Sequence, residues 1–250
     1  MTEQTSENRR KRLAASAPDH PPPDIPLGGG AAHSPYPDYD VVSPDKWRLD
    51  WDEPTRRLVL DRVRNVPPYR FFSADEVACL EAVCERLFPQ EDRPPEFHIP
   101  IAPWIDDRLH WDEGKGYRYE GMPSDQEAYR WGLLGIQEAA YALFGQRFEA
   151  LDGVQQDRVL WRVSAGNPPG ASWQILPAHR FFGLLMDDAI TEYYAHPTAW
   201  AEIGFNGPAS PRGHIRLGPG MPDPWEAREV ASLDSVEIVR RALERKESEL

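Results

Sequence analysis

The chain has 250 residues and carries 41 Asp and Glu against 28 Lys and Arg, a net charge of -13. That balance makes nucleic acid a poor partner, because binding it needs basic surface for counterion release, and it disfavours an anionic membrane for the same reason. No window of about 18 apolar residues is present, so no membrane span is expected, and the length suits one domain with a sizeable core.

Residues 1–45 read as a disordered tail, with Pro21, Pro22 and Pro23, the run Gly28–Gly30 and almost no apolar periodicity. Arg9, Arg10, Lys11 and Arg12 invite a twin-arginine export reading. An export signal also needs an apolar core of about 7–15 residues after its charges, and the LAASAPDHPPPDIP that follows breaks any such core. The expected location is therefore cytoplasmic, with the periplasm, as part of an exported complex, as the alternative.

Residues 46–225 read as a helical domain. Its first part, 46–72, is an irregular arm in which Trp47, Trp51, Tyr69, Phe71 and Phe72 sit among charges, with a short strand or helix near Arg57–Val63. The first clear helix opens at Ser73, where Ser73 and Glu76 make a capping box and Phe72 with Val77 a hydrophobic staple. Val77, Leu80, Cys84, Leu87 and Phe88 recur at helical spacing until Pro89 stops the run. Cys79 and Cys84, the only cysteines, lie on this helix at an offset that points them apart, so both are expected as free, buried thiols.

A second helix spans about Ala102 to Trp111, with Pro103 in its first turn. The third opens at Ser124 with Glu127 as its box partner, and Leu133, Leu134, Ala140, Tyr141 and Phe144 offer an apolar face before Gly145. The fourth opens at Asp152 with Gln155 and runs through Val159, Leu160 and Val163. The fifth covers about Leu176 to Tyr194, with Phe181, Phe182, Leu184, Leu185, Met186 and Ile190. A final amphipathic helix, within 226–250, is capped by Asp234 with Glu237 and shows a narrow stripe of Val236, Val239 and Leu243. No strand of useful length appears. The fold expected is all-α: a compact bundle of five or six helices with a long irregular N-terminal arm and a Gly/Pro-rich C-terminal loop.

That loop, Trp200 to Leu217, holds Gly204, Gly207 and Gly213 for sharp turns and Pro208 and Pro211 to stiffen them. Its prolines remove the N–H donors a phosphate cradle would use, and no strand leads into it, so it is no dinucleotide fingerprint. Its aromatics describe a segment that docks rather than reacts. Elsewhere chemistry is sparse. None of the seven histidines pairs with another at helical spacing, and there is no Gly-x-Ser-x-Gly elbow. No catalytic, cofactor-binding or metal-ligating residue is assigned. Arg130 and Arg180 lie on otherwise aromatic helices, as interface or ion-pair arginines or as simple surface positions. Nine tryptophans, several in irregular segments, serve either as interface anchors or as caps on the chain's own core.

Four stretches, in order, resemble the gluconate 2-dehydrogenase subunit 3 family. They are FFSADEVACLEAVCERLFPQ from Phe71, IPIAPWIDDRL from Ile99, YRWGLLGIQEAAYALFGQRFEAL from Tyr129, and FFGLLMDDAITEYYAHPTAWAEIGFNGP from Phe181. The resemblance covers about residues 70–217. It implies a non-catalytic small subunit that binds, and stabilises or matures, a flavoprotein dehydrogenase of the glucose–methanol–choline type. That large subunit carries the FAD and oxidises a sugar or related alcohol; a multihaem cytochrome c joins some such complexes. The N-terminal arginines without an apolar core, the Pro-rich tail and the acidic C-terminal helix depart from the family pattern. The contacts expected with the large subunit are Trp200, Ile203, Phe205, Pro208 and Arg212, followed by Trp104 and Trp131. The rival readings are a stand-alone helical enzyme with a carboxylate/His site at His179, Asp187 and Asp188, and a helical scaffold unrelated to redox chemistry.

Overall fold

A computed structural model describes residues 51–91, 93, 95–114, 116, 118–205, 207–209 and 213. Arg212, the expected tail 1–45 and the expected helix within 226–250 lie outside the described residues. Among the described residues there are seven α-helices: α1 Glu53–Arg64, α2 Ala74–Leu87, α3 Ile101–His110, α4 Asp125–Phe144, α5 Gly153–Ser164, α6 Ala178–Ala195 and α7 Pro197–Trp200. No strand occurs among the described residues, and the fold is all-α as expected. Asn65–Ala195 falls in one compact unit; the described parts of Gly29–Arg64 and His196–Leu250 fall in a second.

In the first unit, three helices begin where local chemistry predicts. Ser73 Oγ accepts from the Glu76 N–H while Glu76 Oε2 accepts from the Ser73 N–H at 2.8 Å. Ser124 with Glu127 and Asp152 with Gln155 repeat the arrangement at the starts of α4 and α5. Each box satisfies two N–H groups that a helix start otherwise leaves unpaired. Gly145 ends α4 with φ 71°, a left-handed conformation that suits glycine, and its N–H donates to the Tyr141 carbonyl.

Helix α4 packs against α2, α5, α6 and the short turn Ser172–Gln174. Its buried face is Ala128, Tyr129, Gly132, Leu133, Gly135, Ile136, Ala139 and Ala140. This corrects the expected apolar face: Leu133 and Ala140 are inside, but Leu134 is 47% and Tyr141 53% exposed. The physical reason is the run of small residues. A Cβ at Gly132 would lie 2.2 Å from Phe181 Cζ, and one at Gly135 2.5 Å from the Trp173 ring. Glycine lets the Phe181 and Trp173 rings reach the α4 backbone, so the helix turns its smallest residues inward and leaves larger ones outside.

Helix α6 contributes Ala178, Phe181, Leu185, Asp188, Ala189 and Tyr193 to the interior. Ile190, expected inside, is 42% exposed because the buried stripe includes Asp188 and Ala189 and leaves position 190 on the outer side. The Phe181 ring meets Tyr129 edge-on at 5.7 Å. Cys79 and Cys84 are buried and free, as their helical offset predicts.

Buried charge in this unit is heavily bonded. Asp188, 1% exposed, accepts from Arg108 Nη2 and from the Tyr129 hydroxyl, both at 2.6 Å. Arg108 Nη1 reaches Asp125 and the Glu113 carbonyl, each at 2.8 Å, which ties α3, α4 and α6 together. Arg86 clamps Asp157 through two N–H donors at 2.9 and 2.7 Å, joining α2 to α5.

The described part of the second unit opens with Trp51 and α1. The part of the arm read as irregular with a short element near Arg57–Val63 is a helix of 12 residues. Only Val59 of that helix is buried, and its half-buried side carries Thr55, Arg56 and Arg62 beside Leu60 and Val63, so charge masks the helical signal. Val59, Trp51 and Trp200 form an apolar cluster among the described residues of this unit, with Leu60 packed against it.

Candidate interaction surface

Two surfaces carry residues singled out in the sequence. The first is on α4. Trp131, Leu134 and Tyr141 are 37%, 47% and 53% exposed. Their spacings of three and seven residues place them on one helical stripe. The stripe opens into a groove of about 470 Å³ between α2 and α4, lined by Asp75, Glu76, Cys79, Arg130, Trp131, Leu133, Leu134, Gln137, Tyr141 and Arg147.

Charged side chains frame this apolar floor. Arg130 Cζ lies 4.4 Å from the centre of the Phe71 ring, its Nη2 donates to the Phe71 carbonyl at 2.7 Å, and its Nη1 donates to Glu76. Burial pushes the Glu76 carboxyl up, but hydrogen bonds from Arg130 and Ser73 outweigh it and hold the group below its ordinary value. On the far side Arg147 pairs with Asp75 at 3.1 Å and bonds Glu149. Glu149 is likewise held below its ordinary value, because Gln137 and Arg147 together overcome the burial that raises it. Burial lifts the Cys79 thiol at the groove floor above its usual 9.0, so it stays protonated and unreactive near neutral pH.

The second surface belongs to the other unit and includes the Gly/Pro-rich loop. Trp200, expected as a contact, is 9% exposed and packs in the cluster with Trp51. The Trp51 indole N–H donates to the Pro208 carbonyl at 3.0 Å. Gly207 has φ 72°, and a Cβ there would lie 2.5 Å from Trp51 and 2.9 Å from Trp200. Glycine is thus required twice over, by conformation and by space. The Phe205 N–H donates to the Trp200 carbonyl at 2.9 Å, and the two rings meet edge-on at 5.3 Å. Ile203 and Phe205 remain 51% and 46% exposed. Pro208 is half-buried, and so is Trp104 on α3.

The residues of the rival enzymatic reading do not converge. His179 and Asp187 are exposed on α6, whereas Asp188 is buried in the network with Arg108 and Tyr129. Among the described residues no group of three or more His, Cys, Asp or Glu could hold a metal ion. The arrangement offers apolar area framed by ion pairs, which is the chemistry of recognition.

Sequence reasoning flagged Trp131 and Arg130 but missed Leu134 and Tyr141 as surface residues, having assigned both to the core. The available signal was the buried run of Ala128, Gly132, Gly135 and Ala139. Residues 74–207 match the family described as gluconate 2-dehydrogenase subunit 3. No curated protein matches the chain, and no solved structure does. The matched stretch contains α2 and α4, which wall the groove, and most of the Trp200–Pro208 loop.

Proposed function

The chain belongs to the gluconate 2-dehydrogenase subunit 3 family, and from that premise we propose that it acts as a non-catalytic accessory subunit. Its partner is a large subunit of the glucose–methanol–choline type, which carries FAD and oxidises a sugar or related alcohol. The observation that carries this reading is the exposed apolar stripe of Trp131, Leu134 and Tyr141 over its groove. A contiguous apolar face framed by polar residues is the usual form of a protein-binding surface. Ile203 and Phe205 extend the set of contacts, while Trp200 acts from beneath by holding the loop that presents them.

The mechanism is linkage. A subunit that binds the folded, FAD-loaded large subunit and not its unfolded form raises the population of the folded state by mass action. No bond is made or broken by this chain in that scheme. No described helix is long and apolar enough to cross a membrane.

The test is the affinity of the full chain for the FAD-dependent large subunit from the same genome. Trp131→Ser and Leu134→Ser together should weaken binding by about a hundredfold, the effect of losing two central anchors. Circular dichroism should show the double variant still folded, because these side chains are exposed. An unchanged Kd refutes this surface as the contact.

A further inference from the structure

A buried carboxylate on α3 braces the backbone that leads into α2. Asp106 on α3 is 0% exposed. Its Oδ1 accepts from the Arg70 N–H at 2.7 Å and from the Phe71 N–H at 3.1 Å. Its Oδ2 accepts from the Phe71 N–H at 3.1 Å and from the Phe72 N–H at 2.9 Å. Three successive backbone N–H groups thus close around one buried anion, an arrangement that fixes the peptide planes of residues 70–72.

Those planes hold the wall of the groove. The Phe71 carbonyl receives Arg130 Nη2 at 2.7 Å, and the Phe71 ring lies under the guanidinium at 4.4 Å. Arg130 in turn meets Glu76, and both line the groove. From this chain of contacts we infer that Asp106 is a positioning residue for the partner surface. It acts through Phe71 on Arg130 and sets where that guanidinium stands at the groove. The inference rests on the proposed subunit role and adds a specificity element to it: the large subunit should present a hydrogen-bond acceptor to Arg130 beside the apolar side chain it places over Trp131.

The experiment is a double-mutant cycle on the full chain, read as Kd for the FAD-dependent large subunit at a temperature where every variant is folded. Asp106→Asn keeps the shape but removes the charge and one acceptor, and should weaken binding about tenfold. Arg130→Gln should weaken it by a similar factor. The two together should be no worse than Arg130→Gln alone, because one acts through the other. A general loss of fold stability would not cancel in this way. Additive effects, or an unchanged Kd for Asp106→Asn, overturn the inference. If Asp106→Asn fails to fold, Asp106→Glu takes its place in the cycle: an unchanged Kd overturns the inference, and a loss that disappears in the Arg130→Gln background supports it. Loss of binding in Trp131→Ser with no response to Asp106→Asn leaves the subunit role standing and removes only this positioning element. No response to either removes the groove as the contact and this positioning element with it.

Discussion

Replacing Gly132 with alanine tests the closest packing in the first unit. The new Cβ would stand 2.2, 2.3 and 2.5 Å from three atoms of the Phe181 ring. Ordinary carbon–carbon contact is about 3.5–4.0 Å, so ring and backbone must part by more than about 1 Å. The ring cannot swing away, because Phe181 is 0% exposed and is braced edge-on by Tyr129, itself fully buried. Overpacking of this kind typically costs about 1–3 kcal/mol. Alanine's better helix propensity returns about 1 kcal/mol. With an overlap this severe at several atoms, the net loss should be about 2 kcal/mol, which lowers Tm by roughly 4–8 °C in a domain of this size. Gly183 supplies the control. It is exposed on α6, and a Cβ there meets nothing within 4 Å. Gly183→Ala should therefore stabilise by up to about 1 kcal/mol. Thermal unfolding followed by circular dichroism reads both signs. If Gly132→Ala proves neutral or stabilising, α4 and α6 do not approach as described.

Gly207→Ala should disrupt the second unit by about 2 kcal/mol or more, from strain at φ 72° and collision with Trp51 and Trp200; loss of tryptophan signal in near-ultraviolet circular dichroism reports it, and an unchanged spectrum contradicts it. Tyr129→Phe removes a donor from buried Asp188 and should cost about 1–3 kcal/mol, whereas Tyr141→Phe on the exposed stripe should stay within about 0.5 kcal/mol; equal urea midpoints for the two would refute the buried network. Alkaline pH should destabilise the chain. Burial raises Cys79 and Cys84 above the usual 9.0, and burial with the Asp188 charge raises Tyr129 above 10.0. Groups raised in the folded state ionise first in the unfolded state, so their contribution is complete below about pH 9 and is lost as pH climbs beyond it. The loss should approach about 1.4 kcal/mol per pH unit for each group ionised only in the unfolded chain. A urea midpoint that stays flat from pH 9 to 11 would show these groups to be solvated.

The helix starts were legible because their signals are local. Ser73 with Glu76, Ser124 with Glu127 and Asp152 with Gln155 each act within four residues, and all three boxes form. Which face of a helix goes inside was less legible. On α4 the eye follows Leu134 and Tyr141, yet burial there is decided by glycine and alanine, whose contribution is closeness rather than apolar area. Helix α1 was hidden because its inner stripe is mostly polar: Thr55, Arg56 and Arg62 share it with Val59, Leu60 and Val63. Trp200 shows the limit in another way. Its role depends on Trp51 and on the Pro208 carbonyl that Trp51 engages, a pairing set by folding across 149 residues or more and by no local motif. Asp106 was visible only as one of a pair of adjacent acids, and its burial against three backbone N–H groups is a tertiary fact.

The accessory role is tested most directly by expressing the FAD-dependent large subunit with and without this chain and measuring the soluble, FAD-loaded fraction by flavin absorbance. The account predicts a clear rise in that fraction with the full chain and little rise with the Trp131→Ser, Leu134→Ser double variant. Equal solubility, FAD content and activity with and without the chain would contradict it.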